Sequence, residues 1–191
     1  MTLHIAQDEA ADEVLSTNAF ALLTGMLLDQ QFPMERAFAG PAKILDRFGT
    51  LDPQTIAAAA PEEFAQICAT PPVVHRFPGS MAGRIQKLAR HLADEYDGDT
   101  ASLWEGAGSG RELLSRVNAL PGFGRQKSQI FVALLGKQLD VRPDGWEEAA
   151  GVYAEDGSFR SAADVRDPTS LQKVRSFKKE QKAKSRPDPG P

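Results

Sequence analysis

The sequence predicts an all-α fold, and three observations lead to this prediction. Apolar residues recur at intervals of three and four along most of the chain, which is the period of an amphipathic helix. No segment alternates apolar and polar residues over a sustained run, as a half-buried strand would. Proline or a small polar residue stands just before several apolar stripes, and both favour the first turn of a helix.

The elements follow in chain order from these signals. Thr17 or Asn18 can cap a helix that runs to about Gln31, because the apolar stripe stops there and Pro33 lies beyond it. Further helices are predicted from Asp52-Pro53, from Pro61, from Ser80 to about Tyr96, over 111–119, over 124–135, after Asp144 and from Asp167-Pro168. We expect the proline-rich residues 186–191 to form a disordered tail.

The composition excludes several classes of protein. The 191 residues are 41% hydrophobic and 25% charged, which suits one medium domain or two small ones around a real core. No apolar run approaches the length of a membrane span, and the acidic first residues lack the pattern of a signal peptide. Cys68 is the single cysteine, so a disulfide framework, a multi-cysteine zinc site and a cysteine-bound iron–sulfur cluster are excluded. We therefore expect a cytoplasmic protein.

Charge is distributed unevenly along the chain, whose net charge is −4. Residues 172–191 contain seven Lys and Arg against two acidic residues, and residues 110–142 contain six against two. Nucleic-acid binding needs a local basic face, and such a face is compatible with an acidic overall balance. The two basic segments are therefore candidates for contact with a polyanion.

The most informative segment joins two predicted helices by a very short turn. One helix ends at Leu120, Pro121 stops it, and the next helix begins directly after Gly122 and Gly124. Glycine permits positive φ angles and the close approach of another backbone. The start of the second helix has unpaired N–H groups and a partial positive charge, which suit a phosphate oxygen.

The residues around the two glycines add to this prediction. Phe123 between them is expected to anchor the hairpin in the core. Arg125, Lys127 and Ser128 lie just beyond the turn and could add phosphate contacts. Such contacts hold a protein on nucleic acid without reading its sequence.

This segment resembles the hairpin of helix–hairpin–helix DNA-binding proteins, through the run Leu-Pro-Gly-Phe-Gly-Arg over residues 120–125. More specifically, the chain resembles the HhH-GPD superfamily of base-excision DNA glycosylases, in its endonuclease III-like group. In that family an aspartate follows the lysine of the hairpin by about eighteen positions. The lysine position here is Gln126, and the aspartate is Asp144.

Two upstream segments extend the resemblance. Residues 27–31 (LLDQQ) resemble an early helix end of the family, whose last glutamine is inserted into the DNA duplex, and Gln31 takes that place. Residues 77–85 resemble the segment that opens the long helix before the hairpin. The resemblance thus spans about residues 15–155, in the same order.

The resemblance implies a two-lobed helical fold with a helix–hairpin–helix motif. One lobe would combine residues 1–29 with 140–185, and residues 30–139 would form a helical barrel that ends in the hairpin. Double-stranded DNA is the implied partner of a monomeric protein associated with the nucleoid. The implied DNA-binding residues are Gln31, Leu120, Pro121, Gly122, Gly124, Arg125, Lys127 and Ser128.

The chain departs from the family pattern in three places. Gln126 replaces the lysine of the bifunctional members, which puts AP-lyase activity in doubt. The four-cysteine iron–sulfur loop is absent, so we expect no such cluster, no other metal and no cofactor beyond a monovalent cation at the hairpin. Gly145 and Trp146 follow the aspartate instead of the usual Thr-His, so the lesion that would be the substrate is undefined.

The implied chemistry is cleavage of an N-glycosidic bond. Positive charge develops on the deoxyribose as the base leaves, and a carboxylate near C1′ stabilises it or orients the attacking water. Asp144 would have this role, while Gln31 fills the gap left by the base that is turned out of the duplex. Because Gln126 carries no amine, we predict a monofunctional hydrolase that uses water and forms no Schiff base.

Simpler roles stay open for each of these residues. Asp144 could cap the following helix, Gln31 could be a polar helix end, and the hairpin could belong to a non-catalytic protein that binds distorted DNA. Trp146 could stack on an extruded base or pack in the core. His75 in the proline-rich loop could line the pocket, touch DNA or simply be exposed.

Overall fold

A computed structural model of the protein describes residues 2–185, which form twelve α-helices and two 3₁₀ turns, with no strand among them. This confirms the all-α prediction. The helices are α1 (Glu9–Thr17), α2 (Ala19–Leu28), α3 (Met34–Phe38), α4 (Gly40–Phe48), α5 (Pro53–Ala58), α6 (Pro61–Ala69), α7 (Pro78–Tyr96), α8 (Ser102–Glu105), α9 (Gly110–Asn118), α10 (Arg125–Gln138), α11 (Trp146–Ala150) and α12 (Pro168–Lys184). The 3₁₀ turns are Gly151–Ala154 and Ala162–Asp164. The tail predicted for residues 186–191 lies outside the described residues.

Several predicted helix starts are confirmed by their capping contacts. The Asn18 side chain accepts a hydrogen bond from the Ala21 N–H, so Asn18 rather than Thr17 caps α2. Asp52 caps α5 in the same way, and Asp167 forms a capping box with Ser170 at the start of α12. Each of these side chains satisfies an N–H group that the first turn of a helix leaves without a partner.

Helices α2, α7 and α10 contain the most buried residues. Residues Phe20–Leu28 of α2 are all buried, and α7 buries the predicted stripe Met81, Ile85, Leu88 and Leu92. Helices α5 and α6 pack on α7, while α9, α11 and the 3₁₀ turn at 162–164 pack on α10. The division into two lobes at residues 29–30 and 139–140 stays a prediction.

Cys68 belongs to this core. It is fully buried, and desolvation raises the pKa of its thiol to about 12. The thiol is therefore protonated and unreactive at neutral pH, as a structural cysteine is.

Helix α2 ends three residues earlier than predicted. It stops at Leu28, Asp29 leaves the helical region, and Gln31 has a φ of +52°. The Gln30 side chain folds back and donates to the Leu27 carbonyl at 2.7 Å, which satisfies one of the carbonyl groups that a helix end exposes. The residues between α2 and α3 thus form a separate, well-supported turn.

Helix α10 runs three residues beyond its predicted end at Leu135. Buried Gln138 explains this, because its side-chain amide donates to the carbonyls of Ala162, Ala163 and Val165. A long-range contact of this kind leaves no local sequence signal.

Candidate DNA-binding hairpin and active site

The turn between α9 and α10 has the geometry that its glycines predict. The Phe123 N–H donates to the Leu120 carbonyl at 3.1 Å, which closes a β-turn with Pro121 in its second position. Gly122 in the third position has a φ of +84°, and a Cβ there would lie 2.6 Å from Cδ1 of Leu27. The backbone angle therefore favours glycine at position 122, and any side chain there would also push on Leu27 of α2.

Gly124 is different, because the fold does not require it. Its φ of −76° is open to any residue, and a Cβ would meet no atom within 4 Å. A side chain at this exposed position would fit the protein, but it would stand between the backbone and anything that approaches from outside. Glycine here leaves the start of α10 accessible to a ligand that binds the backbone.

The start of α10 offers hydrogen-bond donors to such a ligand. Within the described residues no side chain caps this helix, so the N–H groups of its first turn face outward without a side-chain acceptor. Ser128 is buried and its hydroxyl donates to the Gly124 carbonyl at 2.8 Å, so it stiffens the turn from within. Direct phosphate contact by Ser128 stays a prediction.

Phe123 anchors the hairpin, as the sequence predicts. Its side chain is 4% exposed and meets the ring of Phe131 edge-on, with 6.2 Å between the ring centroids. The turn is therefore held from below while Gly124 and Arg125 stay exposed above.

Lys127 joins the hairpin to the end of α2. Its ammonium donates to the carbonyls of Met26 and Leu27, at 2.8 and 3.0 Å. Burial lowers the pKa of Lys127 to about 8, although the carboxylate of Asp29 opposes the shift. The Lys127 ammonium points at α2 and satisfies two carbonyl groups at the end of that helix. A contact between Lys127 and a phosphate stays a prediction.

The turn that follows α2 presents Gln31 on a rigid support. Gln31 is exposed, and its neighbour Gln30 is held at three points. The Gln30 carbonyl accepts from His75 Nε2 at 2.9 Å, its Oε1 accepts from Arg84 at 3.2 Å, and its Nε2 donates to Leu27. This support suits a side chain that is pushed into a stack of bases.

His75 is a supporting residue that sequence analysis missed. The side chain is fully buried, whereas each of the three roles considered for it needs an accessible side chain. Its Nδ1 accepts a hydrogen bond from the Phe77 N–H at 3.0 Å. The other nitrogen, Nε2, must then carry the proton that is donated to the Gln30 carbonyl. Burial, the largest cause, lowers the pKa of His75 below its ordinary value of 6.5, and the charges of Lys127 and Arg84 lower it further.

The neutral state of His75 predicts a pH dependence of stability. As the pH falls through 6.5, the unfolded chain takes up a proton at His75 before the folded protein does. The free energy of unfolding should therefore fall from about pH 7 downward and level off below the lowered pKa of the folded state. Urea denaturation of the wild type and of His75→Gln across this range measures the effect. Identical pH dependence in both proteins would contradict it.

Asp144 lies in a groove of about 570 Å³ between the starts of α9 and α10 and the helix α11. The groove is lined by Ser109, Arg111, Leu114, Arg125, Gln129, Asp144, Gly145, Glu148 and Ala149. Asp144 does not cap α11, because Gly145 is the N-cap residue and α11 has no side-chain cap. Its backbone carbonyl accepts the Gly110 N–H at 2.8 Å, which ties the segment to α9.

Arg125, and not Gln126, lines the groove that contains Asp144. Arg125 and Gln129 are one turn apart on α10, and both line the groove. Gln126 donates to the Tyr153 hydroxyl at 2.9 Å and is not among the residues that line the groove. Gln31 also lies outside this lining, so the candidate residues form two neighbouring surfaces, one at the end of α2 and one at the groove.

Three of the six basic residues in segment 110–142 form an ion pair within the protein. Arg116 pairs with Glu112, buried Lys137 with Asp164, and Arg142 with Asp140. In the described part of the chain, Arg111 and Arg125 have no such ion pair, and both are exposed in the groove. Within segment 110–142, the exposed positive charge without an ion pair thus lies in the groove that Asp144 lines.

Trp146 packs in the protein rather than standing free. Its six-membered ring lies directly on Gly136 of α10, where a Cβ would come within 2.3 Å of it, and the Arg142 guanidinium lies over the indole. This places α11 against α10 and favours the core-packing role. No helix in residues 2–185 could cross a membrane, and these residues contain no group of three potential metal-binding side chains.

Comparison with known protein families identifies the family to which this chain belongs. The family described as HhH-GPD superfamily base excision DNA repair protein matches residues 24–187, which include the end of α2, the hairpin, the groove and α12. Searches among characterised proteins and among solved structures give no match. The match covers most of the chain and agrees with the all-helical fold, so the chain belongs to the HhH-GPD superfamily of base excision DNA repair proteins.

Proposed function

We propose that the protein is a monofunctional DNA glycosylase, which hydrolyses the N-glycosidic bond of a damaged or mismatched base turned out of duplex DNA. One observation supports this most directly. An exposed carboxylate, Asp144, shares a groove with the exposed Arg125 at the start of α10, next to a hairpin whose Gly124 leaves the backbone open.

Binding begins at the hairpin in this proposal. The N–H groups at the start of α10 and the Arg125 guanidinium bind a phosphate of one strand, with the turn Leu120–Gly124 in close contact. Hairpin carbonyls are the ligands that a monovalent cation would take, and such a cation would draw the phosphate in. Gln31 enters the duplex from its rigid turn and occupies the space of the extruded base.

The chemical step uses water. A water molecule adds to C1′, the C1′–N bond breaks, and the base leaves with its bonding electron pair and takes up a proton. Asp144 stabilises the positive charge that develops on the sugar or orients the water. Gln126 donates a hydrogen bond to the Tyr153 hydroxyl and, as an amide, cannot form a Schiff base.

The nearest lysine also favours hydrolysis. Lys127 follows Gln126 in the chain, but its ammonium is held by the Met26 and Leu27 carbonyls on the side of α2. A Schiff base would require it to leave both acceptors and cross to the groove. We therefore propose that the reaction stops at the abasic site and that no cofactor beyond a monovalent cation at the hairpin takes part.

The test is release of bases from a panel of duplexes. Each duplex contains one lesion, namely uracil, an alkylated purine, an oxidised base or a mismatch, and strand breakage is scored with and without hot alkali. If the protein is a monofunctional glycosylase, at least one of the lesion duplexes is broken only after alkali treatment. Borohydride then traps no covalent complex. Breakage without alkali together with a trapped complex would contradict the monofunctional mechanism.

A second candidate function is non-catalytic binding of distorted DNA. The position of Gln126 favours it, because this residue at the lysine position of the family contacts Tyr153 and is not among the residues that line the groove of Asp144. Tight binding of lesion duplexes with no base release from any of them would support this function and contradict the glycosylase.

A further inference from the structure

Helix α12 is attached to the turn that presents Gln31. The Arg175 guanidinium pairs with the Glu35 carboxylate, and Lys178 Nζ lies 3.2 Å from Asp29 Oδ2. Asp29 precedes Gln31 and Glu35 follows it, so α12 contacts both ends of the segment that carries the candidate wedge residue. The end of α12 is therefore next to the surface on which DNA is proposed to lie.

The last two turns of α12 do not contribute to the core. Leu171 and Val174 are buried and Phe177 is half-buried, whereas residues 178–185 are all exposed. Most of the stability of a helix in a protein comes from an apolar face that packs on something. These two turns, about 10 Å of helix at 1.5 Å per residue, have no such face.

They do have a basic face. Arg175, Lys178, Lys179 and Lys182 are spaced at i, i+3, i+4 and i+7, so they form one stripe along α12. The first two are paired with Glu35 and Asp29. Among residues 2–185, no carboxylate lies within ion-pair distance of Lys179 or Lys182. The stripe thus continues past the acidic residues that it binds in the protein.

We propose that Lys179 and Lys182, on the last two turns of α12, bind the phosphate backbone of the duplex that Gln31 enters. The proposal rests on the DNA-binding function proposed above and assigns it a third contact surface, besides the hairpin and the Gln31 turn. A stripe of lysines without an aromatic or apolar residue suits a row of phosphates. It does not suit a protein partner, since the centres of protein interfaces are depleted of lysine and enriched in aromatic residues.

Charge repulsion within α12 also favours binding of phosphates to this face. Lys178 and Lys182 are four residues apart, and two like charges at this spacing destabilise a helix slightly. Phosphates on this face would neutralise the repulsion and release bound counterions, which is the main source of affinity in such contacts.

The test compares the salt dependence of DNA binding in three full-length proteins. They are the wild type, the double variant Lys179→Gln/Lys182→Gln, and a control, Ala58→Glu/Gln66→Glu, which changes the net charge by the same −2 on the exposed surface of α5 and α6. The affinity for a short fluorescein-labelled duplex is measured by anisotropy over a series of salt concentrations. Thermal denaturation checks that all three proteins fold alike.

The double variant should bind more weakly at low salt, and its plot of log affinity against log salt should be less steep by about one to two, at about 0.9 per lost phosphate contact. The control should keep the wild-type slope. An unchanged slope in the double variant, or an equal change in the control, would overturn the inference while leaving the hairpin contact intact. Absence of DNA binding by the wild type would overturn the proposed function as well.

Discussion

Asp144→Asn is expected to lower the rate of base release by about 10²–10³-fold, the usual effect of removing one group that stabilises charge in a transition state. The exchange keeps the shape of the side chain and removes only its negative charge. No backbone group depends on this carboxylate as a helix cap, because Gly145 is the N-cap residue of α11. Folding and DNA affinity should therefore stay close to those of the wild type. Single-turnover release of the base from the best lesion duplex measures the effect.

Two nearby carboxylates serve as matched controls. Asp140 is four residues upstream, exposed, paired with Arg142 and outside the groove, and its φ of +57° is one that asparagine tolerates well. Asp140→Asn should keep full activity. Glu148 lines the same groove, so Glu148→Gln tests which of the two carboxylates is needed for base release. Full activity in Asp144→Asn would contradict the role proposed for Asp144, and loss of activity only in Glu148→Gln would transfer that role to Glu148.

Gly110→Ala is expected to lower the free energy of unfolding by about 1–3 kcal/mol, the usual cost of overpacking a well-packed site. A Cβ at this buried position would lie 2.4 Å from the Gly145 carbonyl oxygen and 2.5 Å from the Cα of Trp146. Both are backbone atoms, so no side chain can rotate to make room. The segment that carries Asp144 would have to move away from α9, and base release should fall along with stability.

Gly83→Ala is the control for this prediction. Gly83 is exposed in the middle of α7, and a Cβ there meets no atom within 4 Å. The same substitution should raise the free energy of unfolding by about 0.5–1 kcal/mol, because alanine favours the helix over glycine. Urea denaturation of both variants gives the two values, with opposite signs expected. A Gly110→Ala protein as stable as the wild type would show that the contact between α9 and α11 is loose.

Some supporting contacts connect residues that are far apart in the chain. Lys127 donates to carbonyls about a hundred positions upstream, and His75 contacts Gln30 across 45 positions. No spacing rule predicts such pairs, because only the tertiary fold brings α10 and the loop before α7 to the end of α2. For the same reason α2 ends earlier than its apolar stripe suggests, since its last carbonyls are satisfied by Lys127 and by the Gln30 side chain.

What the sequence by itself determined is local. Caps, helix periods and the turn at Gly122 depend on residues within a few positions of one another, so their chemistry can be inferred from order and spacing. Only the tertiary structure decided that Arg125, rather than Gln126, shares the groove with Asp144, and that α12 is attached on both sides of Gln31. Side chains acquire such neighbours when helices pack, and the direction in which each helix face points is set by the whole core.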